Sequence, residues 1–243
     1  MAAAISNARL PLPRQELTER AGRAVIGLVC FALCYYGTQA IGPAVKAFSP
    51  ALPIDWRLPC IPAFAWIYAI GVVWPVVIIF RVSTDSIDRS LAAFVLLSVC
   101  AAMLFLLFPT DGSALRSQCG QQSEWALRTL ARLDKPVNMM PSLHVGYAVL
   151  AVICLRDHQL TWRLAARAMA VLQIVASCLT KQHFIADVAA GAALAVISYG
   201  LCTLVAFPSA SHPWRFRNAT MRREMSSSEG SGNVPGAAAR AKR

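Results

Sequence analysis

The chain has 243 residues, of which 57% are hydrophobic and 14% charged, with a formal net charge of +11 and a mean hydropathy of +0.52. This composition is typical of a protein that crosses a membrane several times, and it excludes an ordinary soluble core. The positive charge does not indicate a nucleic-acid partner, because nucleic-acid-binding proteins carry basic faces with interleaved aromatic residues on a soluble fold. Basic loops attracted to an anionic membrane leaflet explain the charge instead.

A membrane-spanning helix needs about 20 mostly apolar residues, and windows of that length predict a row of such helices. We predict an all-α fold, a polytopic integral membrane protein with a six-transmembrane-helix bundle in residues 24–207. Residues 1–23 form a cytoplasmic N-terminal arm without a removable signal peptide, and residues 208–243 form a basic, disordered cytoplasmic tail. The six predicted spans lie near residues 24–42, 61–80, 90–109, 142–156, 164–180 and 188–207.

The distribution of lysine and arginine predicts the orientation of these spans. Fifteen of these residues fall on the side of the two termini and seven on the other side, leaving out Arg167 inside the fifth span. Because cytoplasmic loops carry the excess of positive charge, both termini are predicted to be cytoplasmic, in the cell (inner) membrane. The loops before the fourth and sixth spans then face outward.

The longest outer connection, residues 110–141, is long enough to have structure of its own. We predict a short surface helix within it, formed by Ser123 with Glu124 through Leu133. Of the eight cysteines, Cys60 and Cys119 alone fall at or near the outer surface. A disulfide between them and two unpaired thiols are equally compatible with the sequence.

A histidine and an aspartate stand at the start of the sixth predicted span. His183 and Asp187 are four residues apart, which places both side chains on one face of a helix. A second histidine, His144, follows Ser142 at the start of the fourth span, where Ser142 is a suitable helix N-cap. Two imidazoles and a carboxylate are therefore predicted to meet at the outer membrane surface.

These residue types suit phosphoryl transfer. Asp187 can accept a hydrogen bond from one nitrogen of His183, which leaves the other nitrogen as a nucleophile for phosphorus. His144 can then protonate the departing alkoxide. A carboxylate inside a membrane is also energetically expensive, so Asp187 is by default a functional residue with His183 as its partner.

The phosphate itself needs positive charge and hydrogen-bond donors. The helix start capped by Ser142 offers free backbone amides and the positive end of a helix dipole. Lys181 is the basic residue closest in sequence to His183. Arg116 and Lys135 add positive charge if loop 110–141 folds over the site.

Two other interpretations use the same residues differently. Two histidines and one aspartate also resemble a zinc ligand set, but no separate nucleophile or orienting carboxylate would then remain. We therefore expect no metal and no other cofactor. A non-catalytic transporter or scaffold would use the His/Asp cluster to relay protons or to brace helices. The paired glycine or proline interruptions of two related halves, common in transporters, do not occur in this sequence.

The segments Pro141–Val145 and His183–Gly191 resemble the second and third signatures of the type 2 phosphatidic acid phosphatase superfamily of membrane lipid phosphatases and phosphotransferases. The segments Asp134–Asn138, Thr180–His183 and Ile61–Tyr68 are similar to its branch of inositol phosphorylceramide synthases. This resemblance implies a six-helix core with an active site on the non-cytosolic face. It also implies His183 as nucleophile, Asp187 as its partner and His144 as general acid.

The sequence departs from the superfamily pattern at two places. The first signature, a lysine followed after six residues by Arg-Pro, is not found, and Ser177 replaces the arginine that commonly precedes the third-signature histidine. An eroded active site on a preserved fold is therefore a third interpretation. The expected partners are a lipid phosphate or phospholipid substrate, an alcohol acceptor if the enzyme is a transferase, and the bilayer. Sequence leaves the choice between phosphatase and transferase open, with a tilt towards headgroup transfer.

Overall fold

The computed structural model of the chain describes residues 13–42, 45–119 and 125–205, apart from the side chain of Val72. The predicted tail, 208–243, and the first part of the predicted arm, 1–12, lie outside the described residues. The described part is all-helical and contains no strand. Its α-helices are α1 (Arg14–Ile41), α2 (Pro53–Arg57), α3 (Ala65–Arg81), α4 (Ile87–Leu107), α5 (Ser113–Ser117), α6 (Trp125–Leu133), α7 (Leu143–Cys154), α8 (Leu160–Leu179) and α9 (Ile185–Leu204).

Four of the described helices are long and apolar enough to cross a membrane, so the chain is an integral membrane protein. They are α1, α4 with the 3-10 turn before it, α8 and α9. Pro62–Gly71 and Val73–Arg81 together form a fifth candidate that is bent by 41°. The apolar helix α7 has 12 residues, about 18 Å of length, which is short for a bilayer core of about 30 Å. A bundle of six full spans therefore stays a prediction.

The bend in the second predicted span has a cause in the sequence. Pro75 lies inside α3, where its ring crowds the carbonyl of the residue four positions earlier, Gly71. The first half of the bent pair ends at that glycine. From the neighbouring helix α8, the buried Gln173 donates a hydrogen bond from Nε2 to the carbonyl of Ile67. This bond fixes the outer half of the bent pair against α8.

The short helix α7 lies in the middle of the bundle, where it packs against α9, α8, α3 and α4. The crossing of α7 and α9 is close because glycine stands on each side of it. A Cβ atom added to Gly191 would lie 2.2 Å from the backbone oxygen of Ser142, and one added to Gly146 would lie 3.2 Å from the carbonyl oxygen of Gly191. Only residues without side chains allow the starts of α7 and α9 to approach this far.

The loops on the side of the two histidines are tied together. Cys60 and Cys119 form a disulfide across 59 residues of sequence, which decides between the two states that the sequence left open. The amide of Ile61 donates to the carbonyl of Leu179 at 2.8 Å, joining the start of the bent span to the end of α8. The surface helix predicted in loop 110–141 is present as Trp125–Leu133, while Ser123 and Glu124 lie outside the described residues.

Candidate active site

The two histidines meet where α7 and α9 begin. The side chain of Ser142 accepts a bond from the amide of Val145 and so caps α7, as the sequence predicts. The amide of Ser142 in turn donates to the backbone carbonyl of Asp187 at 2.9 Å, which joins the start of α7 to the first turn of α9. The ring centroids of His144 and His183 lie 6.2 Å apart as a result.

His183 and Asp187 form the pair that their spacing predicts. Nδ1 of His183 lies 3.5 Å from Oδ2 of Asp187, and both side chains are buried. The same Oδ2 accepts a bond from the amide of Phe184 at 2.9 Å, which holds the carboxylate at the start of α9. A separation of 3.5 Å is an ion-pair distance and is longer than a hydrogen bond. Catalytic hydrogen bonds of this kind often shorten only when substrate binds.

The carboxylate of Asp187 keeps unused hydrogen-bonding capacity. Within the described part of the chain, neither its Oδ1 nor Nδ1 of His183 has a hydrogen-bond partner, although both atoms are buried. A buried polar atom without a partner is costly and needs an explanation in terms of function or a missing ligand. Nδ1 faces the other carboxylate oxygen, Oδ2, at 3.5 Å, so the buried pair has donor and acceptor capacity that the described contacts do not use.

A third aromatic ring, that of Tyr68 in α3, completes the site, and the sequence analysis did not single it out. Its hydroxyl lies 3.3 Å from Nε2 of His183, the nitrogen that faces away from Asp187. Its ring stacks on that of His144 with 3.9 Å between centroids. With its proton on Nδ1 towards Asp187, the neutral imidazole of His183 accepts at Nε2 the hydrogen bond that this hydroxyl donates.

No motif marks Tyr68, because it is 115 residues away from His183 in sequence and meets it only through the packing of α3 against α7 and α8. The one available signal is that Tyr68 ends the segment Ile61–Tyr68, which is similar to the synthase branch. A buried tyrosine within an apolar span is ordinarily part of the core, so no sequence pattern predicts a functional role for Tyr68.

Arg116 is held close to the site by a buried acid. Its Nη2 lies 2.8 Å from Oδ2 of Asp134, and its Nη1 donates to the backbone carbonyl of the same residue at 2.6 Å. Asp134 also accepts bonds from the side chains of Tyr35 and Gln39 in α1. Tyr35 lines the same cavity as His144, so Asp134 links Arg116 to the surroundings of that histidine.

One nitrogen of the Arg116 guanidinium remains available. Its Nε is buried and has no hydrogen-bond partner in the described ranges. Arg116 of loop 110–141 is therefore a mostly buried cation with one unused donor, and its contact with phosphate stays a prediction. The ion pair with Asp134 fixes the position of that cation and offsets part of its charge.

Lys181 has a different environment from the one expected of a phosphate ligand. Its side chain is 1% exposed, and its Nζ donates to the backbone carbonyl of Asp55 at 2.6 Å. The carboxylate of Asp55 accepts from the amides of Ile185 and Leu52, so these contacts fasten α2 to the start of α9. Burial lowers the pKa of Lys181, and the neighbouring Asp55 acts in the opposite direction. These contacts make Lys181 a structural residue, and its contact with phosphate stays a prediction.

The other predicted phosphate ligands are placed as follows. Ser142 is fully buried, and its hydroxyl is engaged in the cap of α7. Lys135 is exposed and has no hydrogen-bond or ion-pair partner among the described residues. No three His, Cys, Asp or Glu side chains lie close enough to hold a metal ion in the portion of the chain that the structure covers.

The profile of the PAP2 superfamily, the type 2 phosphatidic acid phosphatases, matches residues 56–201 of this chain. The match covers more than half of the chain, which therefore belongs to this superfamily. Members are generally phosphatases or phosphotransferases, which supports an enzymatic function. The matched range includes every predicted site residue and Tyr68. No curated protein and no solved structure gives a significant match.

Proposed function

We propose that the protein is a membrane lipid phosphatase or phosphotransferase that acts on a lipid phosphate or phospholipid through a phosphohistidine on His183. The observation that carries this proposal is the meeting of His144 and His183 at 6.2 Å, with Asp187 behind His183. Membership of the PAP2 superfamily supports the same class of reaction. A purely structural His/Asp pair would not need a second imidazole in front of it.

The first half of the reaction forms the phosphoenzyme. The lone pair on Nε2 of His183 attacks phosphorus, so that a P–N bond forms while the bond from phosphorus to the lipid oxygen breaks. His144 gives its proton to that oxygen, and the lipid alcohol leaves. Asp187, at 3.5 Å from Nδ1, stabilises the positive imidazole that forms.

The second half of the reaction cleaves the phosphohistidine and regenerates the free enzyme. Water attacks the phosphohistidine, His144 takes the proton of that water, and the P–N bond breaks to give phosphate. If the hydroxyl of a second lipid or of a polyol attacks instead, the phosphoryl group is transferred to it. The guanidinium of Arg116 is the cation we assign to the phosphoryl oxygens, because Asp134 holds it next to Tyr35 beside the site and its Nε is unused. Ser142, Lys135 and Lys181 are the further phosphate-binding residues that the sequence predicts.

The finer points of this proposal come from the sequence. Similarity to the inositol phosphorylceramide synthase branch favours transfer of a headgroup over simple hydrolysis. The excess of basic residues on the terminal side favours an active site on the non-cytosolic face of the cell membrane.

The proposal is tested with purified protein in detergent and a panel of lipid phosphates and phospholipids. Wild type should release phosphate or headgroup from at least one of them, and His183→Ala should abolish this release. His158→Ala, in the turn between α7 and α8, is the matched control and should leave turnover unchanged. A radiolabelled substrate should give wild type, but not His183→Ala, an acid-labile label. Equal turnover in wild type and His183→Ala would refute the nucleophile assignment.

The same assay separates the remaining alternatives. Addition of ceramide, diacylglycerol or inositol should convert released phosphate into a new phosphorylated product if the protein is a transferase. No turnover of any substrate by the wild type would favour the scaffold or the eroded site.

A further inference from the structure

A long apolar groove begins at His144 and runs down between α1, α3, α4 and α7. About 780 Å³ of space lies along its lining side chains, and part of that space is open to the surroundings and not enclosed by the protein. Its outer end is formed by His144, Leu143 and Tyr35, and its far end by Arg23, Ser90 and Cys154. The groove is therefore continuous with the proposed general acid and leads away from it into the bundle.

The length of the groove follows from the helices that line it. Along α7 it extends from His144 to Cys154, ten residues or about 15 Å. Along α1 it extends from Tyr35 to Arg23, or about 18 Å. At the far end Nε of Arg23 lies 2.7 Å from Oδ1 of Asp88, and this ion pair holds the charge of Arg23.

The groove offers almost nothing polar to a ligand below His144. The hydroxyl of Tyr147 is paired with that of Ser98 at 2.8 Å, and the hydroxyl of Ser90 donates to the carbonyl of Ser86 at 2.9 Å. Much of the wall is aromatic, with the rings of Phe94 and Tyr147 stacked at 4.4 Å between centroids. A ligand that fills the groove must therefore be apolar along its length and polar only where it meets the histidines.

Gly27 of α1 lines the middle of the groove, where α1 packs against Phe94 and Leu91 of α4. A Cβ atom added to Gly27 would lie 3.5 Å from the ring of Phe94 and 3.6 Å from the side chain of Leu91. A single carbon therefore fits in ordinary contact, whereas a larger side chain must enter the groove or push α1 away from α4. Gly37 on the same helix has no atom within 4 Å of such a Cβ.

We infer that this groove takes up one hydrocarbon chain of the substrate while its phosphate lies at His144 and His183. The inference rests on the proposed function and adds to it a class of substrate, a lipid phosphate that enters by a single chain. Since the surrounding bilayer is as apolar as the groove, the chain gains packing contacts there and no hydrophobic free energy. The groove therefore selects chains by their fit, and its length of about 15 Å limits how much chain can enter.

The first test needs no turnover. Hexadecyl phosphate with a diazirine at the end of its chain is bound to the wild-type protein, irradiated, and the cross-linked residues are identified by mass spectrometry. We expect cross-links on Leu150 and Ala151, which line the groove and are 4% and 2% exposed, so that a chain outside the bundle does not reach them. Cross-links confined to the exposed side chains of Val25, Val29 and Leu33 would place the chain in the surrounding lipid and overturn the inference.

The second test uses a pair of matched variants. Gly27→Leu should lower kcat/KM for hexadecyl phosphate relative to octyl phosphate by about fivefold or more, because extra methylene groups in a packed site are strongly resisted. Gly37→Leu should leave the ratio unchanged. An unchanged ratio in a folded Gly27→Leu protein would count against the groove. Absence of His183-dependent phosphate release from the wild-type protein would count against the proposed function instead. The cross-links would still report where the chain lies.

Discussion

Tyr68 lies on the side of His183 from which phosphorus approaches in the proposed reaction. Its hydroxyl is 3.3 Å from Nε2, and in the tautomer that carries its proton on Nδ1, towards Asp187, Nε2 accepts a hydrogen bond from this hydroxyl. Its ring, stacked on His144, keeps the second imidazole in place. When substrate binds, a phosphoryl oxygen can accept the hydrogen bond of the Tyr68 hydroxyl in place of Nε2. This exchange frees Nε2 of His183 to attack phosphorus.

Tyr68→Phe tests this role, because it removes the hydroxyl and keeps the stacked ring. We expect kcat to fall about fivefold with little change in KM, since one such hydrogen bond is worth about 1 kcal/mol. Tyr68→Ala, which also loses the stacking on His144, should cost more. Steady-state kinetics on the best substrate measure both variants. A kcat for Tyr68→Phe equal to or above that of wild type would mean that the hydroxyl merely covers His183.

The residues that sequence could identify are those with local signals. His183 and Asp187 are visible because a spacing of four residues is typical of one helix face, but His183 lies two residues before α9 begins, and the pair forms across the capped start of that helix. Ser142 is visible because helix starts require a cap. The pairing of Arg116 with Asp134 and the position of Tyr68 depend on contacts between distant segments, which no spacing encodes. Lys181 illustrates the same limit: it is close to His183 in sequence, but its positive φ of 56° and its bond to Asp55 carry its ammonium into the loop packing.

At the scale of the helices, windows of apolar residues predict the position of a span better than the residues at which its helix begins and ends. The first helix begins at Arg14, ten residues before the predicted start of its span, because polar residues extend it. Arg20 in this extension is 2% exposed and donates to the backbone carbonyls of Ile79 and Val82. A hydropathy window leaves out these first turns of α1 because they are polar, although the guanidinium of Arg20 is fully hydrogen-bonded within the bundle. Likewise α9 starts at Ile185, where Asp187 holds the first turn.

The close crossing of α7 and α9 gives a prediction at this scale. Gly191→Ala would place a Cβ 2.2 Å from the backbone oxygen of Ser142, so the two helix starts must separate. Because His144 and His183 lie on those starts, we expect lower turnover together with a lower melting temperature, the cost of overpacking being about 1–3 kcal/mol. Activity per folded protein and thermal unfolding in detergent measure the two effects.

Gly200→Ala is the matched control on the same helix, since a Cβ there meets nothing within 4 Å. It should retain both the turnover and the melting temperature of wild type. If Gly191→Ala behaved like Gly200→Ala, the close crossing would not be what positions the histidines.

At the scale of the whole molecule, the loops on the side of the two histidines are joined to each other. The disulfide between Cys60 and Cys119 joins the segment before the bent span to loop 110–141, and Arg116 is three residues from Cys119. A disulfide persists in an oxidising compartment, which agrees with the outward orientation that the basic residues predict. Two independent features, charge distribution and cysteine pairing, thus favour the same side of the membrane for the histidines.

This orientation predicts how Cys119 reacts in intact cells. A membrane-impermeant maleimide should not label Cys119 at first, because its thiol is in the disulfide, and should label it after an impermeant reductant is added. Cys60→Ser, which leaves Cys119 unpaired, should be labelled without reductant. Mass spectrometry of the peptide containing Cys119 reads out both results. Labelling of the Cys60→Ser protein only after permeabilisation would put loop 110–141, and with it the active site, on the cytoplasmic face.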